Sequence, residues 1–134
     1  DWMGDAFMEL WKAEGVDTSR VSRHATAPTG VSFVTHSAAG HKFDYLRKNS
    51  AASLMTPETL PADYVAGAKV FHFSAIGQAI SESARATCDA AIKAAHEAGV
   101  MVSYDTNLRL RLWELDVARR VIEATIARCD IALP

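Results

Sequence analysis

Between residues 102 and 113 the chain reads VSYDTNLRLRLW, which sets Asp105, Asn107 and Arg109 at alternate positions among apolar neighbours. Residues of these types suit an anionic ligand. A guanidinium grips a carboxylate or phosphate through two parallel hydrogen bonds that an ammonium cannot reproduce, and an amide side chain offers donors and an acceptor together. Asp105 ends an apolar run, so its carboxylate is expected at the mouth of a strand-end crevice. The alternative is that Asp105 caps the loop and holds Arg109 in an ion pair with no ligand. Arg111 has no comparable claim. Tyr45 and Arg47 stand two apart in HKFDYLRKN and so share one face of a strand, a phenol beside a guanidinium that fits a polar, anionic sugar derivative. An aromatic on a packing face beside a solvated arginine would give the same pattern. His72, between Phe71 and Phe73, reads as an interior histidine.

The elements that would position these groups follow from periodicity. Met3, Phe7, Leu10 and Trp11 fall on one face of a helix that Gly15 can terminate. From Val21 to Arg47 the runs VSRHAT, VSFVTH and HKFDYLR, split by Pro28, Gly30 and SAAG, predict a strand meander with one wetted face. Thr56-Pro57-Glu58 has the grammar of a short helix start. Lys69–Ser74 predicts a strand, followed by FSAIGQ as a flexible loop that lets backbone approach a ligand. Ser81 caps a helix burying Ala84, Cys88, Ala91, Ile92 and Ala95 as far as Gly99. Val100–Asp105 is the next strand, a helix from Glu114 buries Leu115, Ala118, Val121, Ile122 and Ile126, and Asp130–Leu133 begins a third strand. This βαβαβ order requires parallel pairing, and ligands in such sheets bind outside the carboxyl ends of the strands. A parallel sheet also needs helices over both faces, so the chain is expected to be a piece of a larger α/β protein.

Composition narrows the function classes. The 134 residues carry a formal charge of −2 with no basic block, which argues against nucleic acid as a partner. No apolar run reaches the ~20 residues of a membrane span and the first residues lack a signal-peptide pattern, so a cytoplasmic location and no membrane partner are expected. Cys88 and Cys129 form no CxxC pair and are expected as reduced, buried thiols; the five histidines show no ligand spacing, so no metal site is expected. GxGxxG, GxxxxGK[ST] and GxSxG are all absent.

Taken in order, PTGVSFVTH, FDYLRKNSAAS, VFHFSAIGQAIS and VSYDTNLRLRLW resemble the ribokinase-like (PfkB) carbohydrate kinases over essentially the whole chain. DTNLRLRLW is similar to the family's Asp-Pro-Asn-x-Arg-x-x-Leu-Trp pattern. YLRKNSAAS is similar to its Tyr-Tyr-Arg-x-x-Ser-Ala motif, which points to the 2-keto-3-deoxygluconate kinase branch. The resemblance implies an α/β fold: a ribokinase-like central, mostly parallel sheet with flanking helices plus a small β-sheet lid, of which this chain is an incomplete piece. Residues 1–19 would be a helix and turn of the α/β core, 20–50 a β-meander contributing to the lid, and 51–134 the βαβαβ part of the core. The implied activity is ATP-dependent phosphorylation of 2-dehydro-3-deoxy-D-gluconate by the full-length parent, with ATP and Mg²⁺ as cofactors and a homo-oligomer formed through the lid. By the same resemblance Tyr45, Leu46, Arg47 and Arg109 contact the sugar acid, while Asn107, Leu108 and Arg109 lie beside the nucleotide phosphates. Thr106 stands where proline is common, Ala75 where glycine is common and Leu46 where an aromatic is usual, departures that bear on the choice of substrate. The family's N-terminal sugar motif and its Gly-Ala-Gly-Asp motif, with the aspartate base and anion hole, are not in this sequence. The fragment alone is therefore expected to be inactive and to hold no catalytic residue. Another kinase of the family, for ribose, fructose or a deoxy-inositol acid, and a non-catalytic sugar-acid binding protein are the alternative readings.

Overall fold

A computed structural model describes residues 1–134, which divide into two compact units, Asp1–Leu54 and Met55–Pro134. No helix is long and apolar enough to cross a membrane.

The first unit opens with α1, Trp2–Ala13. The Asp1 carboxylate starts it by accepting from Gly4 N–H at 2.9 Å, and also accepts from the N–H and hydroxyl of Thr29 at 2.7 and 2.8 Å. Phe7 and Trp11 stack one turn apart, with ring centroids separated by 5.4 Å. Strands β1 (Val31–Ser37) and β2 (Gly40–Leu46) form an antiparallel hairpin. Its two-residue turn, Ala38-Ala39, ends on Gly40 at φ +112°, a conformation that only glycine adopts without strain. The expected third strand at VSRHAT is absent. His24 Nδ1 accepts from the N–H groups of Thr26 and Ala27 at 3.2 and 2.9 Å, and this local turn takes the backbone donors that a sheet would need. Both faces of the hairpin are largely exposed, not one as expected.

The second unit begins with a 3₁₀ turn, Pro57–Thr59, and the short helix α2, Ala62–Ala66. Strands β3 (Val70–Ser74), β4 (Met101–Asp105) and β5 (Ile131–Leu133) then pair in parallel, in the order β3-β4-β5. Helix α4, Glu82–Glu97, connects the first two strands and α5, Leu115–Ile126, the last two. Ser81 opens α4 by accepting from Ala84 N–H at 3.0 Å, and Gly99, at φ +69°, turns the chain into β4.

Phe71, Phe73, Val102 and Tyr104 lie on the sheet face that packs into two adjoining cores, one around Val65, Ile92, Ala95 and Val100, the other around Ala75, Trp113 and Ala118. The opposite face presents Val70, Met101, Ile131 and Leu133, all exposed, so the expected cover on both faces is seen on one. Both crossovers step the same way across the sheet, and crossovers of one hand then lay both helices on the same side. FSAIGQ is not a flexible loop. Ser74 accepts from Ile76 N–H at 3.3 Å and opens helix α3, Ala75–Ala79, which buries Ala75 and Gln78. On α5 the buried positions are Ala118 and Thr125, whereas Leu115 and Ile126 are exposed. Val121 and Ile122 pack beside Ala118 in the core as expected, and Gln78 Nε2 donates to the buried Thr125 hydroxyl at 2.9 Å.

Candidate functional site

Register brings Ser74, Asp105 and Leu133 into one row at the carboxyl edge of the sheet. In such sheets this edge is where ligands sit. Thr106 N–H donates to Leu133 O at 3.0 Å, which ties the exit of β4 to the end of β5. Asn107 follows at φ +27°, a left-handed conformation that a non-glycine residue adopts at a cost and that is concentrated at functional sites. Leu108 and Arg109 are exposed. Leu112 N–H donates to Arg109 O at 2.9 Å and closes a turn, after which Trp113 returns to the core.

The Arg109 guanidinium donates to Leu108 O at 3.0 Å, and no ion pair joins it to Asp105. Of the two readings open from sequence, the buried Asp105–Arg109 pair is therefore not what forms. Asp105 is half-buried and shares its sheet face with Ser74. His72 stands on that same face, exposed, with its Nδ1 3.0 Å from Ser103 Oγ, so it is not the interior residue expected.

In the first unit Tyr45 and Arg47 are brought together. The guanidinium carbon lies 5.3 Å from the centre of the Tyr45 ring, a cation–π distance. Arg47 Nε is buried without an acceptor, and its stem lies close enough to Gly30 that a Cβ there would come 3.5 Å from Arg47 Cγ. Asn49, at φ +58°, and the Ser50 N–H bond to Arg47 O (3.0 Å) turn the chain just beyond it. Leu46 is 66% exposed and, by strand alternation, points to the face opposite Tyr45. The three consecutive residues thus divide into a cation–π pair and a separate apolar side chain.

Beneath the strand-exit loop lies a network that motif reasoning missed. Tyr104 Oη donates to Gln78 Oε1 at 2.8 Å, and Gln78 Nε2 donates to Thr125 Oγ1, which itself donates to Val121 O at 2.8 Å. Arg85 Nε donates to Gln78 O at 3.3 Å, and its guanidinium lies over the Trp113 ring. Burial pushes the Tyr104 phenol far above its usual range, and burial likewise pushes the Cys88 thiol up to about 11. Ser74 in a cap position before Gln78 was the available sequence signal, since it marks a helix start where a loop was expected.

No three His, Cys, Asp or Glu side chains converge. Asp105 is the one carboxylate at the strand edge. Mg²⁺ is commonly held by one or two carboxylates together with substrate phosphates, so the donor set fits an ion carried largely by a nucleotide. The Asn107 amide and the exposed Arg109 guanidinium are donors of the kind an anionic ligand takes.

A parallel strand edge followed by an amide-and-guanidinium loop defines an α/β protein equipped for anionic ligands. The model for the pfkB family carbohydrate kinases matches residues 1–134, and the chain belongs to that family. It is 37% identical over 127 residues to a fructokinase of Solanum tuberosum, covering 93% of this chain and 40% of that protein. Among solved structures it superposes on the 2-dehydro-3-deoxygluconokinase of Thermotoga maritima with a TM-score of 0.90 at 30% identity, covering 98% of this chain and 41% of that one. It also superposes on a sugar kinase of Pyrococcus horikoshii, solved in complex with ATP, with a TM-score of 0.88 at 28% identity over 98% of this chain and 43% of the other. The chain thus spans about 40% of the length of the curated relative, and its α/β architecture is part of the ribokinase-like fold.

Proposed function

We propose that the full-length protein phosphorylates 2-dehydro-3-deoxy-D-gluconate with ATP. The Tyr45–Arg47 pair carries this reading, because a guanidinium held within cation–π distance of a phenol, 5.3 Å from its centre, is a ready partner for a carboxylate, which a neutral sugar lacks. ATP with Mg²⁺ supplies the phosphoryl group when bound. Arg47 orients the acid group and Tyr45 the sugar body. Asn107 and Leu108 set the loop beside the phosphates, and Arg109 neutralises anionic groups between the two substrates. Phosphoryl transfer gains chiefly from alignment and charge stabilisation, and these are the terms such residues supply. The hairpin of residues 31–46 serves as lid, pairing with that of a second copy.

A second reading is favoured by one observation, the 37% identity to a fructokinase: phosphorylation of fructose, in which Arg47 would have no carboxylate to meet. A coupled ATP assay of the full-length protein tests both readings. Arg109→Ala should lower kcat/KM for the sugar acid about 100-fold, the scale of losing one charge-stabilising donor. Unchanged kcat/KM would remove Arg109 from the site. Arg47→Met should weaken the sugar acid selectively and leave any activity on fructose.

A further inference from the structure

We infer that Arg85 is a positioning residue for the strand-exit loop and acts by clamping Trp113; this rests on the role proposed above for Asn107–Arg109. The loop between β4 and α5 is tethered at two points. At its start, Thr106 N–H donates to Leu133 O. At its end, Trp113 sinks to 9% exposure in the core formed with Ala75, Tyr104 and Ala118. Between these tethers Leu108–Arg111 are exposed, with the Leu112–Arg109 turn bond bracing them.

The second tether is unusual in its chemistry. Trp113 Nε1 is buried and meets no acceptor, so no hydrogen bond fixes the ring. A buried indole N–H without an acceptor is unfavourable, and without that bond the ring's setting in the core rests on non-directional packing and on whatever its face meets. What the ring does have is a cation: the Arg85 guanidinium carbon lies 5.7 Å from its centroid, within cation–π range. Arg85 is in turn held in place, because its Nε donates to Gln78 O and Gln78 is the fully buried hub joined to Tyr104 and Thr125. Tyr104 immediately precedes Asp105, where the loop's strand ends. One connected set of side chains thus fixes both the strand that enters the loop and the ring that closes it, with Arg109 four residues before that ring. Arg85 lies outside the loop motif, on the first turns of α4, where sequence alone presents it as a surface charge.

The test uses the full-length protein with three variants, Arg85→Met, Arg85→Lys and Arg109→Ala, together with the Arg85→Met/Arg109→Ala double variant. A small misplacement of a charge-stabilising group is enough to cost an order of magnitude in rate, so Arg85→Met should lower kcat about tenfold with the KM for sugar nearly unchanged. Arg85→Lys keeps a cation near the ring but loses the Nε bond to Gln78 O that holds it there, so it should recover only part of the loss. On the Arg109→Ala background, Arg85→Met should add nothing further. With fluorotryptophan incorporated, the ¹⁹F resonance of Trp113, assigned by its loss in Trp113→Phe, should shift and broaden in Arg85→Met and return toward its original position in Arg85→Lys. The inference is overturned by unchanged kinetics and ¹⁹F signal in Arg85→Met, by a full tenfold effect on the Arg109→Ala background, or by a loss that merely follows Tm. If the unaltered protein phosphorylates no sugar, the functional reading fails instead, and the ¹⁹F comparison alone decides whether the clamp exists.

Discussion

Gln78 offers a quantitative test of how the second unit is held together. It is 0% exposed and satisfies two side chains at once, accepting from Tyr104 Oη at 2.8 Å and donating to Thr125 Oγ1 at 2.9 Å. Gln78→Met keeps most of the volume but removes both partners. The Tyr104 hydroxyl is then buried with nothing to donate to, a loss of about 1–3 kcal/mol, while the Thr125 hydroxyl still donates to Val121 O and is spared. Tyr104→Phe alone orphans Gln78 Oε1 and should cost about 1–2 kcal/mol. In the double variant neither orphan exists, so it should be less destabilised than the sum of the singles by about 1–2 kcal/mol. Gln78→Ala also opens a cavity and should cost about 3–5 kcal/mol. Denaturant unfolding of the four proteins, followed by circular dichroism, gives the cycle directly. Additivity within about 0.5 kcal/mol would show that Tyr104 and Gln78 are not coupled and would refute the network.

Two further outcomes follow from the same structure. Burial lifts the Cys88 thiol from 9.0 to about 11, so the unfolded chain releases that proton first: stability holds below pH 9 and falls as pH rises toward 11. Cys88→Ala should lessen the loss in this part of a Tm-against-pH curve, leaving the contributions of Cys129, a thiol also raised by burial, from pH 9.0 and of the Tyr104 phenol from pH 10.0; an unchanged curve would contradict the partial burial of Cys88. On the hairpin, Val31, Phe33 and Leu46 share the face turned from Tyr45, with Phe33 and Leu46 exposed. If that face pairs two lids, Phe33→Ser/Leu46→Ser should convert the full-length protein to monomers in light scattering, and an unchanged mass would exclude it.

The parallel βαβαβ order was readable because each element announces itself locally, as with the Ser81 cap, the Ala84–Ala95 stripe and Gly99. VSRHAT misled because strand propensity carries no record of the His24 ring competing for the backbone. FSAIGQ misled because small residues suit both loops and short helices, and the Ser74 cap decides between them. For the site, strand alternation placed Tyr45 and Arg47 together, but it also sets Leu46 on the other face, which the motif reading passed over. The Gln78 hub and Arg85 were not legible, since their roles depend on partners that are distant in the chain, Thr125 at one end and Trp113 at the other.

The central claim is that the site around Tyr45 and Arg47 is built for an acidic sugar. Steady-state kinetics of the full-length protein on 2-dehydro-3-deoxy-D-gluconate and on fructose, at saturating ATP, test it most directly. The account predicts a higher kcat/KM for the sugar acid and a loss of that preference in Arg47→Met. Fructose as the better substrate, with a preference indifferent to Arg47→Met, would contradict it.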